Sequence, residues 1–114
     1  ADVIINKDFF INSLKISAVF SGKLNELNMI IVSGEDFFTI KTSNNESGEN
    51  ISKIPAKITG ESVKITFNHK YIYDCMANID SEEIILRFSG EGKPLLITGA
   101  KNNTFQYLVM PMSV

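Results

Sequence analysis

The stretch that most constrains the fold is VKITFNHKYIYDCM, residues 63–76. Apolar and polar residues alternate from Val63 to Phe67, which is the pattern of a strand with one buried face. Asn68 follows, and its side chain is suited to capping the start of a helix. Beyond it, apolar residues recur at helical spacing and form one stripe: Ile72, Cys75, Met76 and Ile79. The stretch therefore predicts a strand that leads directly into a helix, and the helix packs its stripe on a sheet.

Three further strands are predicted after this helix. Segments of strand length are separated by residues 89–92 and 100–103, which have turn compositions. The predicted strands are Glu83 to Phe88, Pro94 to Thr98 and Phe105 to Met110. The segment GEGK at residues 90–93 is similar to a phosphate-binding loop only superficially, because a strand follows it where such a loop needs a helix. It is predicted to be a hairpin turn.

The N-terminal half repeats this scheme. When the chain is shifted by 62 positions, residues 5–14 align with residues 67–76, and both contain an Asn between an apolar run and an aromatic residue. When it is shifted by 56 positions, Ser33-Gly34 aligns with Ser89-Gly90, and Pro55 aligns with Pro111. The first half is accordingly predicted to contain four strands and a helix from about Lys7 to Phe20. The strands are Asp2 to Asn6, Asn28 to Val32, Phe37 to Thr42 and Ile51 to Ile58.

These elements define the expected fold class, which is α+β. The chain is predicted to form one domain over residues 1–114, with duplicated halves at about 1–60 and 61–114. Each half is a β-α-β-β-β unit, and both helices cover one face of an antiparallel sheet. The first helix presents a face with two small residues, from which we expect close packing. That face consists of Phe10, Ser13, Leu14 and Ser17.

The composition excludes several classes of protein. The 114 residues are 44% hydrophobic and carry a net charge of −2, so the chain is too apolar and too weakly charged to be disordered. A single Cys cannot form a disulfide within the chain, and no apolar run approaches the ~20 residues that span a bilayer. We therefore expect a cytoplasmic protein that does not associate with a membrane.

The residue types do not favour an enzyme. The single His69 and the single Cys75 are six positions apart on one helix, so they project from different faces and cannot form a catalytic dyad. Cys75 lies on the apolar stripe and is predicted to be a buried structural thiol. Without a second His or Cys, the sequence predicts no metal site and no cofactor. His69 is predicted to be solvated at the helix start, with a contact to DNA phosphate as the alternative.

Two apolar segments leave alternatives open. The C-terminus, YLVMPMSV at residues 107–114, is apolar almost to its end. It is either a last strand buried throughout or an exposed apolar strip that recruits partners, and period-2 alternation favours exposure of half of its residues. Val19 and Phe20 end the first helix, and they belong either to the core or to an interface.

The sequence also resembles a known family. The motif FNHKY at residues 67–71, the segment PLLI at 94–97 and above all the ending VMPMSV at 109–114 resemble the C-terminal domain of the bacterial DNA polymerase III beta subunit, the replicative sliding clamp. The resemblance covers essentially the whole chain. It implies the DNA-clamp fold, in which the helices of duplicated units line a hole for DNA. It also implies a chain of three such domains, of which this sequence is a fragment that supplies one.

The resemblance further implies which residues act. Val19 and Phe20 correspond to the pair that meets the other subunit of a ring dimer. A second set corresponds to the wall of a pocket for short clamp-binding peptides of polymerases, the clamp loader and repair proteins. Its members are Asn68, Tyr71, Gly92, Pro94, Leu108, Val109, Met110, Pro111, Met112, Ser113 and Val114. Asn68 is expected to cap its helix, to bind the peptide, or to do both.

The expected function is that of a non-enzymatic sliding clamp, a processivity factor of DNA polymerase III that encircles double-stranded DNA without sequence preference. Positive residues on or beside the helices are candidate phosphate contacts, and solvated helix charge is the alternative for each. These residues are Lys7, Lys15, Lys23, His69 and Lys70. The isolated fragment is expected to be a monomer without measurable DNA affinity. The alternative function is a stand-alone β-sheet module that binds peptides and never encircles DNA.

Overall fold

The structure is a computed structural model that describes residues 1–44, 46, 48–101 and 105–112. Each half of the chain contains a strand, a helix and three further strands, as the sequence predicts. The elements of the first half are β1 Asp2–Asn6, α1 Lys7–Ala18, β2 Glu26–Ile31, β3 Phe37–Asn44 and β4 Gly48–Thr59. Those of the second half are β5 Val63–Asn68, α2 His69–Met76, β6 Glu83–Phe88, β7 Leu95–Gly99 and β8 Gln106–Val109.

The observed elements differ from the predicted ones mainly at their ends. The first helix ends at Ala18 rather than at Phe20, and β4 begins at Gly48 rather than at Ile51. The β3–β4 hairpin is longer than predicted because main-chain pairing continues to Asn44 and Gly48. Pairing of this kind does not depend on side chains, so the apolar pattern does not mark where it stops.

The strands pair antiparallel in one sheet of order β5-β2-β3-β4-β1-β6-β7-β8. The long strand β4 joins the two halves of the sheet, since residues 48–55 pair with β3 and residues 56–59 pair with β1. β1 continues the sheet into the second half by pairing with β6 over its whole length. The order therefore places β5 and β8 at the two ends of the sheet.

Both helices pack on the sheet and bury the stripes that the sequence predicts. The buried residues are Phe10, Ser13, Leu14 and Ser17 of α1, Ile72, Cys75 and Met76 of α2, and Ile79 just beyond α2. The small residues of α1 allow the expected close packing. The hydroxyl of Thr42 on β3 donates to the main-chain oxygen of Ser17 at 2.8 Å, and the Ser17 hydroxyl donates to the oxygen of Ser13 at 2.8 Å. The buried hydroxyls are thus satisfied at this contact.

The two helices begin in the same way. Asn6 and Asn68 are the N-caps, and each accepts a main-chain N–H group from the first turn of its helix, at 2.8 Å and 2.9 Å. The first residue of each helix donates its N–H to the loop that follows the other helix, at 2.8 Å for Lys7 and 2.7 Å for His69. These exchanged bonds hold the start of each helix against the segment that ends the other.

Candidate functional sites

The C-terminal segment alternates between exposed and buried side chains. Leu108 is 66% exposed, Val109 is 6% exposed and Met110 is 63% exposed. The predicted alternation is therefore confirmed from Leu108 to Met110, whereas Pro111 and Met112 are both partly buried, and Ser113 and Val114 lie outside the described residues. The exposed members form an apolar surface at one end of the sheet.

The chain beyond β8 reaches the strand at the other end of the sheet. The main-chain N–H of Met112 donates to the oxygen of Thr66 in β5 at 2.9 Å. Because β5 leads directly into Asn68 and α2, this bond brings the tail beside the start of that helix. Tyr71 stands in the first turn there and is 61% exposed. The structure thus brings the tail close to Asn68 and Tyr71, which are distant from it in sequence.

The turn between β6 and β7 lies beside the same surface. In the register of β7 with β8, Pro94 is at the level of Met110, where the chain leaves the sheet. Gly92 has a φ of +73°, a conformation that a residue without a side chain adopts without strain. A main-chain hydrogen bond of 3.2 Å from Lys93 to Gly90 closes the predicted hairpin turn. The turn therefore lies beside the point where the tail leaves β8, and a peptide groove between the turn, the tail and α2 stays a prediction.

Asn68 caps α2, as the sequence predicts. Its Oδ1 atom accepts from the N–H groups of Lys70 at 2.9 Å and Tyr71 at 3.4 Å. The cap uses only the oxygen of the amide, and the nitrogen of the same side chain is a separate donor group. A role in binding peptide is compatible with the cap, and that role stays a prediction.

The end of α1 exposes a cluster of apolar side chains. Val19 is 67% exposed, whereas Phe20 is partly buried, so the reading that places both residues in the core is wrong. Ile16, one turn earlier, is also exposed. Sequence reasoning missed Ile16. The sign available in the sequence was that Ile16 is apolar but does not belong to the stripe that packs on the sheet. We call Ile16, Val19 and Phe20 the helix-end cluster, and it is accessible to a partner.

The lysines predicted to contact phosphate have different surroundings. Lys15, Lys23 and Lys70 are exposed. Lys7 is partly buried, and its Nζ atom donates to the main-chain oxygen of Ile79 at 2.7 Å. Lys7 therefore holds the start of α1 against the segment after α2, and a contact with phosphate would compete with that bond.

His69 is buried, so the prediction that its ring is solvated is wrong. The residue is 6% exposed, and Nε2 lies 2.6 Å from the main-chain oxygen of Leu14 in α1. Because a carbonyl oxygen only accepts, Nε2 carries the proton in this bond. His69 shares a helix face with Ile72 and Met76, and that face packs inwards. The ring therefore contacts the neighbouring helix and is not exposed to a phosphate.

A groove of about 330 Å³ lies between the two helices. Its lining residues are Lys15 and Ala18 of α1, Asn25 of the following loop, and His69, Lys70 and Tyr73 of α2. The rings of His69 and Tyr73 stack with an interplanar angle of 12° and centroids 6.4 Å apart. Sequence reasoning missed Tyr73, although its spacing of four residues from His69 places the two rings on neighbouring turns.

Cys75 is a buried free thiol, as predicted. Burial raises the pKa of this thiol, and the negative charge of Asp74 adds to the rise. A thiol of this kind stays protonated at neutral pH and is a poor nucleophile. Among the described residues, no group of His, Cys, Asp and Glu side chains could hold a metal ion, and neither helix is long and apolar enough to cross a membrane.

Three strand edges lack a strand partner within the described part of the chain, and one of them, the outer edge of β5, carries only the single bond from Met112. Residues 48–54 of β4 pair with β3 on one side, and the pairing of β4 with β1 begins only at Ala56. Strand β8 pairs with β7 alone. Open edges of this kind accept a strand from another domain or another chain.

Comparison with known proteins identifies a family. Residues 1–113 match the family described as the C-terminal domain of the DNA polymerase III beta subunit. The chain is 30% identical over 80 residues to the beta sliding clamp of Staphylococcus aureus, which covers 69% of this chain and 21% of the relative. It is 26% identical over 114 residues to the beta sliding clamp of Bacillus subtilis, which covers 97% of this chain and 30% of the relative. The chain thus spans less than a third of the curated relatives it matches.

Solved structures share the fold. The DNA polymerase III beta subunit of Thermotoga maritima gives a TM-score of 0.91 at 24% identity, over 99% of this chain and 30% of that one. The corresponding subunit of Pseudomonas aeruginosa gives a TM-score of 0.91 at 22% identity, over 99% of this chain and 31% of that one. The predicted α+β architecture, two β-α-β-β-β units with helices packed on an antiparallel sheet, is therefore confirmed.

Proposed function

The chain belongs to the family of the C-terminal domain of the DNA polymerase III beta subunit, and we propose that it serves as one domain of a bacterial sliding clamp. In this proposal the intact protein is a non-catalytic processivity factor that encircles double-stranded DNA. It tethers the polymerase through topology and peptide contacts rather than through sequence recognition. The observation that carries the proposal is the C-terminal tail, which is bonded to β5 beside Asn68 and Tyr71.

We infer that the intact protein has three such domains in each chain and that two chains form the ring. The length of the relatives supports this, because the chain spans 30% of the Bacillus subtilis clamp. The open edges of β4 and β8 also support it, since a strand of a neighbouring domain can add to each. Residues 1–114 form one domain in this proposal, with halves at about 1–60 and 61–114. Val19 and Phe20 meet the other subunit, whose apolar surface covers the helix-end cluster.

The proposed peptide groove lies between the tail and the start of α2. Leu108 and Met110 offer exposed apolar contacts, and the flexible Met side chain adapts to different partners. An extended peptide from a polymerase, the clamp loader or a repair protein places apolar side chains against them, while Asn68 donates to the peptide main chain. The remaining members of the proposed groove are Tyr71, Gly92, Pro94, Val109, Pro111, Met112, Ser113 and Val114. Val109 is buried, so it supports the groove from below.

The proposed contacts with DNA are weak and independent of sequence. Lys15, Lys23 and Lys70 are exposed on or beside the helices and can neutralise phosphates. Lys7 contributes less because its Nζ atom is bonded to the oxygen of Ile79. His69 leaves the set because its ring is buried against α1. Closure of the ring, not the strength of these contacts, holds the DNA.

Retention on circular DNA tests this proposal. The intact protein is loaded onto nicked plasmid by the clamp loader of its own organism, and the complex is separated by gel filtration. We expect the protein to remain on the circle and to be lost when the plasmid is linearised. The isolated 114-residue chain is expected to sediment as a monomer and not to bind a short linear duplex. Equal retention on circular and linear DNA contradicts the proposal.

A second candidate function is a module that binds peptides without encircling DNA. One observation favours this function: the described residues of the proposed groove all come from this chain, so a single domain supplies them. The reading frame upstream of Ala1 separates the two functions. Two further copies of this unit there support the clamp, whereas a start codon immediately before Ala1 supports the module.

A further inference from the structure

We propose that the groove between α1 and α2 receives an unpaired base of single-stranded DNA, with the ring of Tyr73 as the stacking surface and with Lys15 and Lys70 as contacts to the flanking phosphates. The inference rests on the proposed function in that the helices face DNA. The proposed function involves weak contacts with duplex DNA, and this inference adds single-stranded DNA as a second ligand.

The ring of Tyr73 lies nearly parallel to the ring of His69, with centroids 6.4 Å apart. One of its faces stacks on His69 at an interplanar angle of 12°. His69 is itself fixed by the 2.6 Å bond from Nε2 to the oxygen of Leu14. Tyr73 remains 36% exposed and lines the groove. A ring that is already ordered offers a base a stacking surface at little cost in conformational entropy.

The charges on the two walls suit a strand. Lys15 projects from α1 and Lys70 from α2, and neither forms an ion pair within the described part of the chain. Asp74, one turn after Lys70, is not part of the lining. Positive groups on opposite walls match the phosphates before and after one base of a strand. A free mononucleotide carries its phosphate on one side only, so the arrangement favours the strand.

The remaining walls suit the flat and partly polar surface of a base. Ala18 contributes an apolar contact, and Asn25 carries both a donor and an acceptor at the end of the groove. The main-chain oxygen of Asn25 accepts the N–H of His69 at 2.7 Å, which fixes the loop that carries this amide. A base within a duplex is paired and stacked and cannot enter such a groove without being extruded.

The test measures the binding of a labelled oligothymidylate to the intact protein by fluorescence anisotropy, with a blunt duplex as the comparison ligand. We expect Tyr73→Ala to weaken binding of the oligothymidylate about tenfold and Tyr73→Phe to retain it, because stacking needs the ring and not the hydroxyl. Binding of the duplex is expected to change little in either variant. The double variant Lys15→Ala/Lys70→Ala is expected to weaken binding more than Lys57→Ala/Lys64→Ala, which removes equal charge from exposed strand positions.

Several results would overturn this inference. Equal affinity of Tyr73→Ala and Tyr73→Phe for the oligothymidylate rules out stacking on the ring. Thymidine monophosphate that competes as well as the oligothymidylate rules out a strand as the ligand. If Tyr73→Ala does not fold, photocrosslinking of an iodouracil-containing oligonucleotide to the unsubstituted protein decides. A crosslink within α2 supports the site, and crosslinks confined to the C-terminal tail contradict it. If the protein binds the oligothymidylate but is not retained on circular plasmid, the proposed clamp function is contradicted and this inference is not.

Discussion

Asn68 lies where the fold and the proposed peptide groove meet. Its oxygen accepts N–H groups at the start of α2 that have no partner within the helix. The same cap fixes the main chain of the first turn, which carries the exposed side chain of Tyr71. Sequence predicts the cap because an amide side chain separates a strand pattern from a helix pattern. The approach of the tail to the start of α2 follows only from the bond between Met112 and Thr66, which no local pattern indicates.

Two substitutions of Asn68 separate its roles. Asn68→Ala is expected to lower the free energy of unfolding by about 1 kcal/mol, because the cap is lost. Asn68→Ser keeps an oxygen acceptor suited to the cap but lacks the amide nitrogen, so it is expected to retain stability and to bind a clamp-binding peptide more weakly. Urea denaturation and a peptide titration measure the two effects. Parent-like peptide affinity in Asn68→Ser would show that the amide does not contact the peptide.

The buried thiol of Cys75 makes stability depend on alkaline pH. Because its pKa is raised in the folded protein, the folded state keeps the thiol proton to higher pH than the unfolded state does. The thiol therefore leaves stability unchanged below its ordinary pKa of 9.0, and stability falls as the pH rises above that value. Cys75→Ala is expected to lack this part of the alkaline decline in urea denaturation. If the free energy of unfolding falls equally with pH in the parent and in Cys75→Ala, the thiol does not cause the decline.

His69 and Cys75 show why sequence succeeds at one residue and fails at its neighbour. Cys75 is apolar in character and lies on the stripe, so its pattern and its chemistry both predict burial. His69 shares a helix face with Ile72 and Met76, which belong to the same stripe, but its polarity predicts solvation. Burial becomes favourable because the oxygen of Leu14 on α1 accepts its proton. An acceptor on another element is not visible in the spacing of residues.

At the scale of elements, the proposed internal duplication accounts for the position of the tail. Pro55 aligns with Pro111, and the residue after Pro55 is where β4 begins to pair with β1. The residue after Pro111 is Met112, which bonds to β5. The tail therefore bonds to β5 at the position that corresponds to the pairing of the last part of β4 with β1. Residues 110–112 belong to the pairing scheme of the sheet through this bond, although they form no strand of their own.

Two substitutions at Met112 test whether this bond positions the tail. Met112→Pro removes the N–H that donates to Thr66, whereas Met112→Ala keeps it. Relative to Met112→Ala, we expect Met112→Pro to unfold with about 1 kcal/mol less free energy and to bind a clamp-binding peptide more weakly. Chemical denaturation and a peptide titration provide the measurements. If both variants bind the peptide equally, the bond does not set the groove.

Sequence patterns predict the elements better than their partners. Every strand rests on local alternation or composition, and each is present near its expected position. The end of α1 is an exception, because Val19 and Phe20 are apolar and extend the apparent helix pattern although they lie beyond its last residue, Ala18. Strand order and the division of β4 between two partners arise from contacts between distant segments. Periodicity does not encode these contacts, so they emerge only from the structure.

At the scale of the whole molecule, the described surfaces differ in chemistry in a way that suits different partners. The C-terminal segment exposes the apolar side chains of Leu108 and Met110, the open edges of β4 and β8 present main-chain groups, and the helices carry exposed lysines. A net charge of −2 makes tight electrostatic binding of DNA by one such domain unfavourable. A ring that closes around the duplex does not need tight binding. Weak phosphate contacts and a strong subunit interface therefore belong to the same proposal.

The subunit interface is tested by Phe20→Asp in the intact protein. Phe20 is partly buried within the domain, and its remaining surface faces the other subunit in the proposed ring. A carboxylate there is left without a partner when the interface closes, which costs several kcal/mol and weakens the dimer about a hundredfold or more. Val32→Asp is the matched control, because Val32 is exposed after β2 and apart from the helix-end cluster. Analytical ultracentrifugation over a range of concentrations measures the dimer, and circular dichroism confirms that each variant is folded. If Phe20→Asp dimerises as tightly as the parent, this side chain lies outside the interface. An unpaired carboxylate buried in an apolar interface would have weakened the dimer.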